Sequence, residues 1–285
     1  MPSLAPSEPA LTLPTEPLEL RLVVTDLDGT LLDAAGELPA RFWALVDRLR
    51  ERKITLAPAS GRQYPMLTRM FGTPEGMAFI AENGTYVVRD GNELSSSPLD
   101  RDWAARVVRS IRALGDTRDL GVVWCGRDCA YIDRVDDAFV AEVSRYFASL
   151  QVVDDVLAVA DDPIKLSVFD FAGSAETAEA LAGWCRPHQV VISSQCWLDV
   201  MKQGVNKGAA LGELQRVLGV TPEQTVVFGD YLNDLEMIES VPHSFAVANA
   251  HPSVLRAASY VAPTNAEQGV MQVLERLLDA ADRAA

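Results

Sequence analysis

VVTDLDGTLL, residues 23–32, sets two carboxylates, Asp26 and Asp28, directly after an apolar run and follows them with Gly29 and Thr30. Aspartate is depleted in strands and costly to bury, so the pair needs a reason. One reason would be a hairpin, for which Asp-Gly between apolar residues is a strong signal. The following residues weaken that reading. LLDAAGELPA is a loop, and LPARFWALVDRLRERK, residues 38–53, carries Leu38, Phe42, Leu45, Val46 and Leu49 at helical spacing. ITLAPAS, residues 54–60, then reads as a second strand. Strand, helix and strand joined by short loops predict a parallel crossover, not a hairpin.

Upstream, residues 1–17 hold five prolines without an apolar period and read as a mobile tail. Downstream, MAFIA and TYVVRD are short strands separated by the turn signal Asn83-Gly84. The pattern then changes. A long amphipathic helix from Pro98 is followed by strands GVVWC and CAYID, a helix from Asp136, strand IKLSVFDF and a helix from Ser174. After WLDVM the alternation resumes: helix NKGAALGELQRVLG, strand TVVFGD, helix NDLEMIESV, strand SFAVAN and a helical C-terminus. The expected fold class is therefore α/β: a doubly wound, mostly parallel, Rossmann-like core with an inserted α+β domain. The expected boundaries are a core over 18–84 and 199–285 and a cap over 85–198.

The chain has 285 residues, 48% hydrophobic and 23% charged, a globular composition. A net charge of −15 argues against nucleic acid or an anionic membrane as partner, since both need a basic face. It also means that an anionic ligand must find its positive charge locally. No apolar stretch is long enough to span a bilayer, and the N-terminus lacks a basic segment followed by an apolar one. Cys125, Cys129, Cys185 and Cys196 show no metal-site spacing and read as packing residues in a reducing, cytoplasmic setting.

Four strand-to-helix junctions carry polar residues, and in a parallel sheet all four belong to one edge. They are Asp26 and Asp28; Ser60, Gly61 and Arg62 in PASGR; Lys207 in GVNKG; and Asp230, Asn233 and Asp234 in GDYLND. Each has a plainer explanation. Ser60 and Asn206 could cap helices, Asp230 and Asp234 suit a helix start, and Lys207 could be a solvated surface residue. Their coincidence on one edge is what these explanations leave out. Several acids without compensation repel one another, whereas a hard divalent cation such as Mg2+ holds them together and is completed by a substrate phosphate oxygen. Lys207 and the Ser60 hydroxyl then supply the local positive charge and the donor.

At these residues the chain resembles the haloacid dehalogenase-like hydrolase superfamily. DLDGT, Ser60 of PASGR, Lys207 of NKG and GDYLND match its motifs in order. The α+β insert between the second and third motifs is similar to the class II cap of the Cof-type phosphatases, as are Asn83-Gly84 and Gly269-Val270. The resemblance implies that Asp26 is the nucleophile, forming an aspartyl-phosphate, and that Asp28 is the acid and base. It implies phosphoryl binding by Ser60 and Lys207, with Gly61, Arg62 and Asn233 beside them. It also implies Mg2+ held by Asp26, the Asp28 carbonyl and Asp230, with Asp234 at the metal, at its waters or anchoring Lys207. Ala59 stands where many relatives carry a threonine, and Tyr231 and Leu232 make the metal loop bulkier than usual.

The expected activity is hydrolysis of a small phosphate monoester, a sugar phosphate or related metabolite, by a monomer or homodimer. A phosphomutase is the enzymatic alternative and needs a second basic phosphate site in the cap, for which Arg101, Arg106, Arg109, Arg112, Arg118, Arg127 and Arg134 are available. A catalytically idle metabolite-binding relative is the alternative from another class. Trp124, Tyr131, Asp133 and Lys165 are candidates for the cap lining, while His188, His243 and His251 read as structural or exposed.

Overall fold

In the computed structural model, residues 13–14, 18–72, 75–115, 117–127 and 129–284 are described, the side chain of residue 284 excepted. The expected tail lies outside them apart from Leu13 and Pro14. The chain forms two compact units: the described residues of Met1–Leu56 with those of Val220–Ala285, and the described residues of Ala57–Gly219. The expected boundaries at 84/85 and 198/199 both fall inside the second unit.

The first unit is organised by a parallel sheet. The order of its strands is Tyr260–Ala262, His243–Val247, Thr225–Gly229, Leu22–Thr25 and Thr55–Pro58, the last running across the division between the units. Leu22 pairs with Thr225 and Thr25 with Phe228, and the register continues in parallel through Val226–His243 and Phe245–Tyr260. Strands Leu22–Thr25 and Thr225–Gly229 are buried at every position, which is why both read as continuous apolar runs. From Leu22–Thr25 the chain proceeds to one side, and it later returns to the other side at Thr225–Gly229. The strand order reverses between these two, and in open α/β sheets ligands bind beyond the carboxyl ends of the strands at such a point. Helix Phe42–Glu51 buries Phe42, Leu45, Val46 and Leu49, as the spacing requires. Arg48 pairs with Asp279 and Asp282 of helix Gly269–Ala284, tying the two helices at their solvent side.

The second unit holds a six-stranded sheet in the order Gln189–Ile192, Trp197–Met201, Lys165–Asp170, Leu120–Cys125, Ala130–Ile132, Leu150–Val152. It is antiparallel except for its last pair. Val122 and Trp124 face one core with Trp103, Val107 and Ile111, while Val123 and Cys125 face another with Phe139 and Val143. That alternation is the period of two of a strand. A Cβ on Gly121 would stand 2.0 Å from the Phe139 ring, so glycine there admits helix Asp137–Tyr146 to the sheet. A second, three-stranded sheet pairs Ala78–Ala81 with Tyr86–Arg89 across the Asn83-Gly84 turn and adds Asn92–Ser96.

The chain thus adopts the expected α/β class with an inserted α+β part. Helices Tyr64–Phe71 and Pro252–Ala257 and strands Asn92–Ser96, Leu150–Val152, Gln189–Ile192 and Tyr260–Ala262 were not anticipated; Pro65 at the helix start was the available signal for the first. All four cysteines are free. No helix among the described residues is long and apolar enough to cross a membrane.

Candidate active site

The first unit places its acids at the switch point. Strand Leu22–Thr25 ends, and Asp26 is still extended, its N–H donating to the Phe228 carbonyl at 3.0 Å. The backbone then turns: Asp28 has φ −75° and ψ 115°, and Gly29 has φ 83° and ψ −6°. These are the central angles of a type II turn, which demands glycine at the second position. Asp28-Gly29 is therefore the centre of a turn over residues 27–30, though not of a hairpin, with Asp26 buried just before it and Asp28 exposed within it.

Asp230 follows strand Thr225–Gly229 directly. Asp26, Asp230 and Asp234 each offer a carboxylate oxygen within 4.8 Å of the others. Three carboxylates so close, with Asp26 and Asp234 buried, suit a hard cation with oxygen ligands. The surroundings fit that use. A Cβ on Gly29 would lie 2.4 Å from Asp230 Oδ2, so the carboxylate occupies the space a side chain would fill. Thr30 Oγ1 donates to Asp230 Oδ1 at 2.9 Å and orients it. Asp234 Oδ2 accepts from the N–H groups of Asp230 and Tyr231, at 3.0 and 3.2 Å, so this acid folds the loop that carries Asp230. Asn233 is half-buried in the single turn Leu232–Asp234.

Behind this layer, Asn249 Nδ2 donates to the Gly29 carbonyl at 2.8 Å, and Asn249 Oδ1 accepts from Asn265 N–H. Asn265 Nδ2 reaches the Leu32 carbonyl. Sequence reasoning missed both asparagines, which belong to no motif; the polar Asn249 at the end of the SFAVAN strand was the only signal.

The second unit carries the other motif residues. Ser60 is buried, and its backbone is fixed on both sides, its N–H to the Ile80 carbonyl and its carbonyl to Asn83 N–H, each at 2.9 Å. Its Oγ accepts from Arg62 N–H at 3.1 Å, a local turn and not a cap of helix Tyr64–Phe71, whose preceding residue is Gln63. The hydroxyl proton remains as a donor. Gly61 and Arg62 are half-buried. Lys207 opens helix Lys207–Leu218 and is fully buried, so it is not the solvated residue its helix position allowed. Asn206 caps that helix, its Oδ1 accepting from Ala209 N–H at 2.7 Å. Gly84 has φ 95°, and a Cβ there would be 2.4 Å from the Asn206 carbonyl, so the turn packs tightly on the backbone leading into Lys207.

Among the cap candidates, Trp124 belongs to the core, with Nε1 donating to the Asp161 carbonyl, and Asp133 pairs with Arg112. Lys165 is buried. Burial lowers the pKa of His188 and of His243, and the Nδ1 atoms of both are buried without a hydrogen-bond partner. His251 Nδ1 caps helix Pro252–Ala257 through Ser253 N–H.

An acid cluster at a switch point and the ordered motifs define a class, and comparison with known proteins names it. Residues 23–274 match the family model of the haloacid dehalogenase-like hydrolases. The chain is 31% identical to 5-amino-6-(5-phospho-D-ribitylamino)uracil phosphatase YbjI of Escherichia coli (strain K12), over 92% of this chain and 97% of that one. It is 32% identical to the HMP-PP phosphatase of Citrobacter koseri, over 82% and 86%. SMU.1108c from Streptococcus mutans UA159 superposes with a TM-score of 0.83 at 28% identity, over 91% and 99% of the two chains. The chain belongs to the haloacid dehalogenase-like hydrolases and is an enzyme of their phosphatase type.

Proposed function

We propose that the protein is a Mg2+-dependent phosphatase that hydrolyses a small phosphate monoester through an aspartyl-phosphate on Asp26. The convergence of Asp26, Asp230 and Asp234 at the reversal of strand order carries this reading. Asp26 and Asp230 hold the metal with the Asp28 carbonyl, and Asp234 supports them from the loop. Bound there, Mg2+ offsets the carboxylate charge and that of the phosphoryl oxygens, the chief requirement of phosphoryl transfer.

Asp26 attacks the phosphorus, and the bond to the ester oxygen breaks. Asp28 gives its proton to that leaving oxygen. The carboxylate so formed then takes a proton from the water that attacks the phosphoryl group on Asp26, and Asp26 is restored. The exposed turn position suits Asp28 to this exchange with solvent. Ser60 and Lys207 keep the phosphoryl-binding role implied by the family motifs, with Gly61, Arg62 and Asn233 contributing. They are the local donors that an acidic chain must supply to an anion.

The substrate class is a small phosphorylated metabolite, and the phospho-D-ribityl compound named for the E. coli relative is one candidate. A mutase reading is less well supported. Arg101, Arg112, Arg118, Arg127 and Arg134 each pair with carboxylates of the same unit, which removes most of the charge a second phosphate site would need. Phosphate release from p-nitrophenyl phosphate with Mg2+, compared between wild type and Asp26→Asn, tests the mechanism. Equal turnover by the two refutes it, and a panel of phosphorylated metabolites then ranks substrates.

A further inference from the structure

Lys165 is the buried cation of a network that the proposed chemistry does not use. It opens strand Lys165–Asp170, and its Nζ lies 2.6 Å from Glu82 Oε2, 3.3 Å from Asp199 Oδ1 and 3.1 Å from the Gly61 carbonyl oxygen, to which it donates. The Gly61 contact is a hydrogen bond, while the two carboxylates pair with the ammonium by charge, both Glu82 oxygens being buried without a hydrogen-bond partner. Lys165, Glu82 and Asp199 are 2%, 1% and 3% exposed. Burial works against the Lys165 charge, but Asp199 and Glu82 outweigh it and hold its pKa above the ordinary lysine value.

The other members extend the same hold. Asp199 Oδ2 accepts from Asn83 Nδ2 at 3.0 Å and from Ser193 Oγ, while Asp199 Oδ1 accepts from Ser167 Oγ. The Asn83 amide lies flat on Gly61, where an added Cβ would be 3.1 Å from Asn83 Nδ2. Glu82 and Asn83 both have left-handed backbones, with φ 52° and 56°, a conformation that non-glycine residues keep only when their surroundings impose it. A buried ion cluster is seldom a net source of stability, since well-packed apolar groups can replace one at little cost. What this cluster does is fix two backbone segments, Ser60–Gly61 and Glu82–Asn83, from a strand far away in the chain.

We propose that Lys165 is a positioning residue: by holding the Gly61 carbonyl against the Glu82–Asn83 turn, it sets the direction of Ser60 and of the neighbouring backbone N–H groups toward the phosphoryl group. The inference rests on the phosphatase reading and adds to it a residue outside every motif. Lys165 acts through the loop, because its hydrogen bond goes to the Gly61 carbonyl and its charge is paired with Glu82 and Asp199.

The test uses the full-length chain as wild type, Lys165→Arg and the double variant Glu82→Gln/Lys165→Met. The double variant removes one charge of each sign and leaves Asp199 its hydroxyl and amide donors. Hydrogen exchange is followed at residues 59–63 and at strand Leu120–Cys125, alongside p-nitrophenyl phosphate kinetics and inhibition by inorganic phosphate. In the double variant, exchange at 59–63 accelerates while the strand is unchanged. The phosphate inhibition constant and KM rise about tenfold, the scale of one hydrogen bond to a charged group, and kcat falls less. Lys165→Arg recovers part of this. Acceleration shared by strand Leu120–Cys125 means general loosening and overturns the inference, as does unchanged exchange or unchanged phosphate inhibition in an active enzyme. A wild type no faster than Asp26→Asn overturns the phosphatase reading, and the inference with it.

Discussion

Gly29 and Asp230 interlock: a Cβ at residue 29 would stand 2.4 Å from Asp230 Oδ2, inside any permitted approach of two such atoms. The turn after one strand is shaped around the acid after another, with Thr30 donating to the same carboxylate. Gly29→Ala must therefore push Asp230 aside and also hold an alanine at φ 83°. The backbone alone costs about 1–2 kcal/mol. With Asp230 in its proposed metal-binding role, displacing it lowers kcat/KM on the order of a hundredfold. Titration of activity with Mg2+ checks this, the variant requiring more metal for half-maximal rate.

Under the proposed mechanism, Asp26 and Asp28 separate by chemistry. Asp26→Asn loses the nucleophile, and turnover falls by roughly a thousandfold or more. Asp28→Asn loses about a hundred- to ten-thousandfold, the usual worth of a positioned acid and base. With p-nitrophenyl phosphate, whose leaving group needs little protonation, Asp28→Asn retains the phosphoryl group on Asp26. Mass spectrometry of the quenched protein reads the difference: phosphoenzyme accumulates in Asp28→Asn and is absent from Asp26→Asn.

Gly84 and Asn206 define the approach to Lys207. Asn206→Ala removes one helix cap, a loss of about 1 kcal/mol. Gly84→Ala combines a left-handed alanine with a backbone clash at 2.4 Å and costs about 2–4 kcal/mol. Urea unfolding midpoints give the order wild type, Asn206→Ala, Gly84→Ala, and, with Lys207 in its proposed phosphoryl-binding role, phosphate affinity follows the same order because Lys207 moves with Asn206.

The histidines set a pH limit on stability. His188 and His243 are both held below the ordinary histidine pKa by burial. The unfolded chain therefore takes up protons first as pH falls below about 6.5. Their stabilisation is complete above that value and is lost as pH drops toward their folded values. Thermal unfolding between about pH 7.5 and pH 5.5 checks it, Tm falling with pH and His188→Gln/His243→Gln flattening the slope. Asp136 and Asp155, held below the usual carboxylate range by hydrogen bonds from Arg134 and Arg112, contribute only at more acid pH.

Much of this was legible in the chain because it rests on local rules. A fully buried parallel strand writes a continuous apolar run, and Leu22–Thr25 and Thr225–Gly229 do so. Helix Phe42–Glu51 buries the residues its period selects. The parallel crossover also weighed rightly against a hairpin at Asp28-Gly29. The helix Tyr64–Phe71 escaped notice because its eight residues are too few to show a firm period. Asp234 is expected at the metal, at its waters or at Lys207, and it lies within the acid cluster; its further bonds to Asp230 and Tyr231 N–H depend on how a four-residue loop closes, which spacing does not reveal.

Residue chemistry and order in the chain were enough to single out the acids, the serine and the lysine, because strand ends and helix starts are coded within a few positions; the acids and Ser60 follow strands of the parallel sheet as expected, whereas the strand before Lys207, Trp197–Met201, belongs to the antiparallel sheet. Which side chains hold those residues in place is a different matter. Asn249 reaches Gly29 across 220 positions and Lys165 reaches Gly61 across 104. Such pairs follow no periodicity. They exist because sheet order brings remote backbone carbonyls beside side-chain donors, the exposed Asn249 in one case and the buried Lys165 in the other, and a buried polar group must find its partner wherever the fold provides one.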